Sequence, residues 1–156
     1  MKKNYLTFCV LLLLATTLFT KISEAQVIVS GAHASSNGSY GTLGAAFNAI
    51  NGQTQTGFDI IVAITSSTTE SSSAQLNQGS WATLKIYPTG VGGYTINSNT
   101  GGVNVVDLIG ADNVTIDGRV NQVPGPIALT IQHTVADGTS TVIRFVESAE
   151  NNTIQY

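Results

Sequence analysis

Apolar positions along this chain follow three rhythms in turn. Residues 5–19 are almost uniformly apolar. Behind them stand Lys2 and Lys3, and ahead of them Ser23-Glu24-Ala25 puts small residues at −3 and −1 of a cleavage point. That arrangement reads as a secretory signal peptide over residues 1–25. The run is shorter than the roughly 20 residues a membrane span needs, and Cys9 lies within it as part of the leader. The second rhythm is helical. Tyr40, Leu43, Phe47 and Ile50, spaced 3, 4 and 3, make one apolar stripe. Ser39 or Thr42 is its expected cap and Asn51-Gly52 its stop. Gly41 and Gly44 weaken such a helix by roughly 1 kcal/mol each, so it needs a surface to lie on. A short strand is expected at 27–29, and the β-branched run 58–64 predicts a strand covered on both faces. A polar tract follows over 66–73.

From Leu84 onward the period drops to two. Short strands are expected at 84–86, 94–96, 106–108, 114–116, 129–131, 143–145 and 152–154. Two stretches repeat each other, residues 105–116 (VVDLIGADNVTI) and 142–154 (VIRFVESAENNTI), with a one-residue gap. Both end in Ala, an acid, Asn, any residue, Thr and Ile. Self-similarity at fixed spacing marks stacked repeats that each supply part of a shared core. Taking every third strand gives three sheets: 84–86 with 114–116 and 152–154, 94–96 with 129–131, and 106–108 with 143–145. The spacings are then 30 and 38 residues, with loops at 87–93 and 118–127 absorbing the difference. This register stacks Ile86, Ile116 and Ile154 inside, and Leu108 on Phe145. Outside, it sets Thr115 beside Thr153, Thr95 beside Thr130, and Asp107 beside Arg144. Asn113 and Asn151 take equivalent corners, where their amides are expected to ladder. Asn152 breaks the inward apolar pattern at the place of Val114.

Composition narrows the function classes. Without residues 1–25 the chain keeps 131 residues and no cysteine, so its stability rests on packing and hydrogen bonds. Three cations (Lys85, Arg119, Arg144) stand against eight carboxylates, leaving a net charge of −5. So few cations cannot neutralise many phosphates, which argues against a nucleic-acid partner. Thr, Ser, Asn and Gly dominate the polar positions, as on an extracellular β-rich surface.

The run 111–119 (ADNVTIDGR), with 128–131 (ALTI) and 149–154 (AENNTI), resembles the right-handed parallel β-helix of the pectin-lyase-like superfamily. More narrowly, it is similar to the N-terminal part of large secreted bacterial surface proteins. The resemblance implies an all-β fold, a right-handed parallel β-helix (a three-sided solenoid) with a short N-terminal capping helix. Its expected divisions are a signal peptide (1–25), a lead-in (26–38), a cap of helix plus first strand (39–81) and β-helix coils (82–156) that stop incomplete, as in a truncated fragment.

Candidate chemistry is sparse. Ile116-Asp117-Gly118-Arg119 is similar to an Ile-Asp-Gly stretch of polysaccharide-degrading β-helix enzymes, but Asp117-Gly118 also reads as a turn with Gly at positive φ. Calcium-dependent lyase chemistry needs stacked carboxylates, since Ca²⁺ takes six to eight oxygens. The outward row Lys85, Thr115, Thr153 offers none. Asp112 and Glu150 occupy equivalent corners, where they could share a cation but read first as a solvated acidic edge. No pair of acids is spaced for glycoside hydrolysis. His133 and His33 read as a strand-end and a lead-in residue, and Trp81 with Tyr87 as lid aromatics or a sugar-stacking platform. Asn37, Asn113 and Asn151 each begin an acceptor pattern for N-glycosylation, matches that so much Asn and Thr produces by chance. No catalytic, cofactor-binding or metal-binding residue is assigned, and no cofactor is expected. The expected function is a non-catalytic segment of a secreted or outer-surface protein, adhesin-like or stalk-like, with no transmembrane span once the leader is gone. Its expected partners are polysaccharide or other surface glycans and the missing remainder of the same β-helix. The alternative is the N-terminal part of a polysaccharide lyase or glycoside hydrolase whose active site lies beyond residue 156.

Overall fold

A computed structural model describes residues 25–156, so the expected leader lies outside the described residues except for Ala25. β1 (Val27–Ser30) and β2 (Gly38–Tyr40) come first, then α1 (Leu43–Asn51). There follow β3 (Asp59–Ile64), β4 (Thr68–Thr69), β5 (Ala74–Asn77), β6 (Thr83–Pro88), β7 (Tyr94–Ser98), β8 (Val106–Ile109) and β9 (Val114–Asp117). β10 (Leu129–His133), β11 (Ile143–Val146) and β12 (Thr153–Gln155) end the described chain. Among these residues no helix is long and apolar enough to cross a membrane.

From β3 onward, successive strands pass to successive sheets and pair in parallel. One sheet runs β12-β9-β6-β3-β1-β2, the second β10-β7-β4 and the third β11-β8-β5. The expected strand pairs are found in the expected register. Thr115 faces Thr153, Thr95 faces Thr130, Asp107 faces Arg144 and Leu108 faces Phe145. The alternation explains it, because a one-residue slip would turn every buried Ile and Leu outward.

The expected fold class is corrected. The chain is not an all-β right-handed parallel β-helix, a three-sided solenoid. It is mixed α/β: the described residues form twelve strands in three mostly parallel sheets and one α-helix, and the largest sheet is mixed. β1 pairs antiparallel with both β2 and β3. The physical cause is a short reversal. Gly31 (φ 71°) and a 3-10 turn at Ala34–Ser36 fold β2 back onto β1, and only antiparallel strands accept so short a connection. A Cβ on Gly31 would collide with the Asp59 carbonyl, so glycine is required both for its backbone angle and for its space.

Helix α1 starts three residues later than its apolar stripe. Tyr40 lies in β2 instead, and Thr42 caps the helix by accepting from the Ala45 amide at 3.1 Å. Leu43, Ala46, Phe47 and Ile50 are buried against β5 and the β1–β2 arm. Strand β3 buries Ile60, Val62 and Ile64 and leaves Ile61 and Ala63 half-buried. Together with Ala74, Leu76, Leu84, Ile86, Ile96, Val106, Leu108, Val114 and Ile116 these side chains form one core shared by the three sheets.

Candidate functional site

Asp117 ends β9 with its carboxylate wholly buried. Arg119 donates to it twice, Nε to Oδ1 at 3.0 Å and Nη2 to Oδ2 at 2.7 Å. The Arg119 amide (2.9 Å) and Gln155 Nε2 (2.7 Å) complete the shell. The Arg119 hydrogen bonds outweigh the opposing effect of burial and hold the Asp117 carboxyl below the usual range. The guanidinium also lies 3.8 Å from the centre of the Tyr156 ring. The turn expected at Asp117-Gly118 is therefore only half right. Asp117 does accept from the backbone two residues on, but Gly118 does not take positive φ. It is small because a Cβ would meet the Tyr156 carbonyl.

Asp107, mid-strand in β8, is built alike. Arg144 on β11 donates Nε to Oδ1 at 2.8 Å and Nη2 to Oδ2 at 2.6 Å. Burial opposes ionisation, yet the Arg144 hydrogen bonds and charge, then Asn104 and Gln75, keep this carboxyl below its ordinary value. The pair was expected as an exposed cross-strand contact. The Asp107 side chain is in fact fully buried, with Arg144 43% exposed. Both of these buried acids are thus engaged by arginines, and neither offers a free oxygen to a proton or a metal.

The other candidates do not converge. Asp112 accepts the Glu150 amide at 2.6 Å, so these two positions are linked carboxylate to backbone. His133 lies between Val135 and the Thr100 carbonyl (Nε2 at 3.0 Å), bridging two loops. His33 accepts from the Ser35 amide at 3.3 Å. Trp81 is buried and gives its indole N–H to the Asp112 carbonyl at 2.7 Å, which removes it from any sugar-stacking platform. Tyr87 is half-buried on β6. Asn37 is tied to both backbone groups of Ala32. Among the described residues, no three His, Cys, Asp or Glu side chains form a metal-binding group.

The expected Asn ladder is also corrected. Asn113 and Asn151 take left-handed backbone (φ 58° and 56°), and their role is to turn the chain. The cross-strand amide is Asn152, whose Oδ1 accepts from Val114 N at 2.8 Å and whose Nδ2 donates to the Ala111 carbonyl at 2.8 Å. That explains why a polar residue stands where Val114 has an apolar one.

Three features escaped the sequence reading. Glu70 is buried (2% exposed) and accepts from the Leu43 and Gly44 amides at 2.9 and 3.0 Å, closing the N-terminus of α1. Asp137 accepts from Thr139 N, both groups of Ser140 and Gly102 N, which holds its carboxyl far below the ordinary range. The dipeptide Asp137-Gly138 was the available signal. The third is a groove of about 370 Å³ between the C-terminal end of α1 and the loop after β5, with Asn51, Gln53, Thr54, Gln55, Gln78 and Ser80 around it. Gln55 forms a fixed part of its wall. It is 2% exposed, accepts from His33 N and donates to Ser36 Oγ and the Ile50 carbonyl, all at 2.9 Å.

Comparison with family models, with curated proteins and with solved structures finds no match, so the resemblance to the pectin-lyase-like superfamily gains no support from relatives and no family is assigned.

Proposed function

We propose that this chain is a non-catalytic segment of a secreted or cell-surface protein, a scaffold of the adhesin or stalk kind that meets polysaccharide or other surface glycans. The observation that supports it is the fate of Asp107 and Asp117. Each carboxylate is enclosed by an arginine in two hydrogen bonds, as structural acids are and as general acids or bases are not. The outward row Lys85, Thr115, Thr153 is in register across β6, β9 and β12 and carries hydroxyls and one amine. Hydroxyl rows suit exposed strands and hydrated contact. The leader expected over residues 1–25 motivates the location.

The test has two arms. Cells producing the full chain should expose it to antibody and to added protease while intact, and retention inside the cell would refute the location. The purified protein incubated with pectin, alginate, xylan and cellulose should release neither reducing ends nor unsaturated products. Product formation that disappears in Asp117→Asn would replace the scaffold by an enzyme.

A further inference from the structure

We propose that the groove between the end of α1 and the loop after β5 is a binding subsite for a neutral sugar chain, an assignment that rests on reading the chain as a glycan-contacting scaffold. The groove's chemistry selects the ligand class. Its lining residues are Asn, Gln, Thr, Ser and Gly, without a charged or an aromatic side chain. Among the described residues an anion would find no cation there, because Arg119 and Arg144 are bound to Asp117 and Asp107 and Lys85 lies on the outer face of β6. A metal ion would find no carboxylate, and a lipid or aromatic ligand little apolar wall. What remains is a neutral molecule dense in hydroxyls. Each sugar hydroxyl both donates and accepts, and each primary amide offers both functions on one rigid plane.

The groove is also divided between fixed and free groups. Asn51 is held by the Gln75 carbonyl and the Asn77 amide, and Gln55 by its three bonds, so the wall keeps its shape without a ligand. Gln53, Thr54 and Gln78 are exposed at the rim, and none of their side chains is bonded within the described protein. The preformed wall lowers the ordering cost of binding, while the rim side chains, without protein partners, are the groups that reach the sugar. Trp81 is buried behind Gly79, so no aromatic face stacks on the sugar, and the affinity expected is millimolar.

The test is a titration of the ¹⁵N-labelled protein, followed by its amide spectrum, with cellohexaose, mannohexaose and, separately, hexagalacturonate. A neutral hexamer is expected to shift the Gln53 and Gln78 side-chain amides and the Gly52 and Gly79 backbone amides, while hexagalacturonate leaves them in place. Gln53→Ala with Gln78→Ala should weaken binding about tenfold, the loss of two ordinary hydrogen bonds, with the rest of the spectrum unchanged. Absence of shifts with both neutral hexamers, shifts elsewhere on the surface, or equal response to hexagalacturonate would each overturn the assignment and leave the scaffold reading standing. Cleavage of a hexamer in the tube would instead overturn the scaffold reading.

Discussion

At the residue scale, Asp107, Asp117, Arg119 and Arg144 are spent on internal bonds. Asp107 is the clearest case, since its two oxygens meet Arg144 and its burial forbids water from replacing that partner. Asp107→Ala is expected to cost about 1.5–3 kcal/mol, the range for hydrogen bonds to charged groups, read as a lower urea midpoint with unchanged slope. The pH dependence follows from sign. Asp107, Asp117 and Asp137 all have carboxyls lowered by their hydrogen bonds in the folded chain. A lowered carboxyl adds stability above its unfolded value of about 3.9 and loses it as pH falls through the folded value. The melting temperature should therefore stay level from neutral pH to about 5 and drop steeply below about 4. A decline already between about 7 and 5 would show that these acids do not govern acid stability. Asn113 and Asn151 show how far residue types carry meaning. The repeated Ala-acid-Asn was visible as a pattern, and its cause is a left-handed corner that Asn tolerates better than most residues.

At the element scale, strength of signal followed length and polarity. Strands β6 to β12 were legible because alternation recurs in each, and their pairing because the same figure returns. β5 also alternates, with Ala74 and Leu76 buried and Gln75 and Asn77 exposed, but it follows a serine run that hid it. β4 is two threonines long and exists only because β7 offers it Ile96 and Asn97 as partners. Of the two expected caps of α1 the structure uses Thr42 and not Ser39, because an apolar stripe cannot tell a helix residue from a strand residue lying beside it. Tyr40 belongs to β2, where its hydroxyl donates to the Ser36 carbonyl. Asn152 tests the account of β12. Asn152→Val restores the apolar pattern of Val114 but removes two cross-strand bonds, so it should destabilise by about 1–2 kcal/mol and speed exchange at the Val114 amide. Stabilisation instead would show that burial outweighs those bonds at this corner.

At the scale of the whole molecule, one core is shared by three sheets, and its two ends differ. Near α1 it is closed by Leu43, Phe47 and Ile50, while at β11 and β12 the inward residues Phe145 and Ile154 stay 45% and 51% exposed. Leu76, Leu108 and Phe145 lie in register across β5, β8 and β11, which makes a graded test. Leu108→Ala should cost about 2–5 kcal/mol, as for a fully buried leucine. Phe145→Ala should cost much less than the 3–5 kcal/mol roughly expected in a closed core, because half of its surface already meets water. Equal losses in the unfolding midpoints would mean that the open end is covered in solution. By itself the sequence determined the strand positions from β6 onward, their parallel registers and the inward residues, because alternation with period two leaves each side chain one allowed face. Only the tertiary structure decided what local pattern does not carry. It set the antiparallel entry of β1 and β2 that makes the large sheet mixed, and it enclosed Asp107 and Asp117 within arginine shells. It also carried Trp81 inside and left a wall of amides beside the end of α1. Each of these depends on which distant groups arrive at the same place, and that depends on chain reversals that a pattern of apolar residues does not encode.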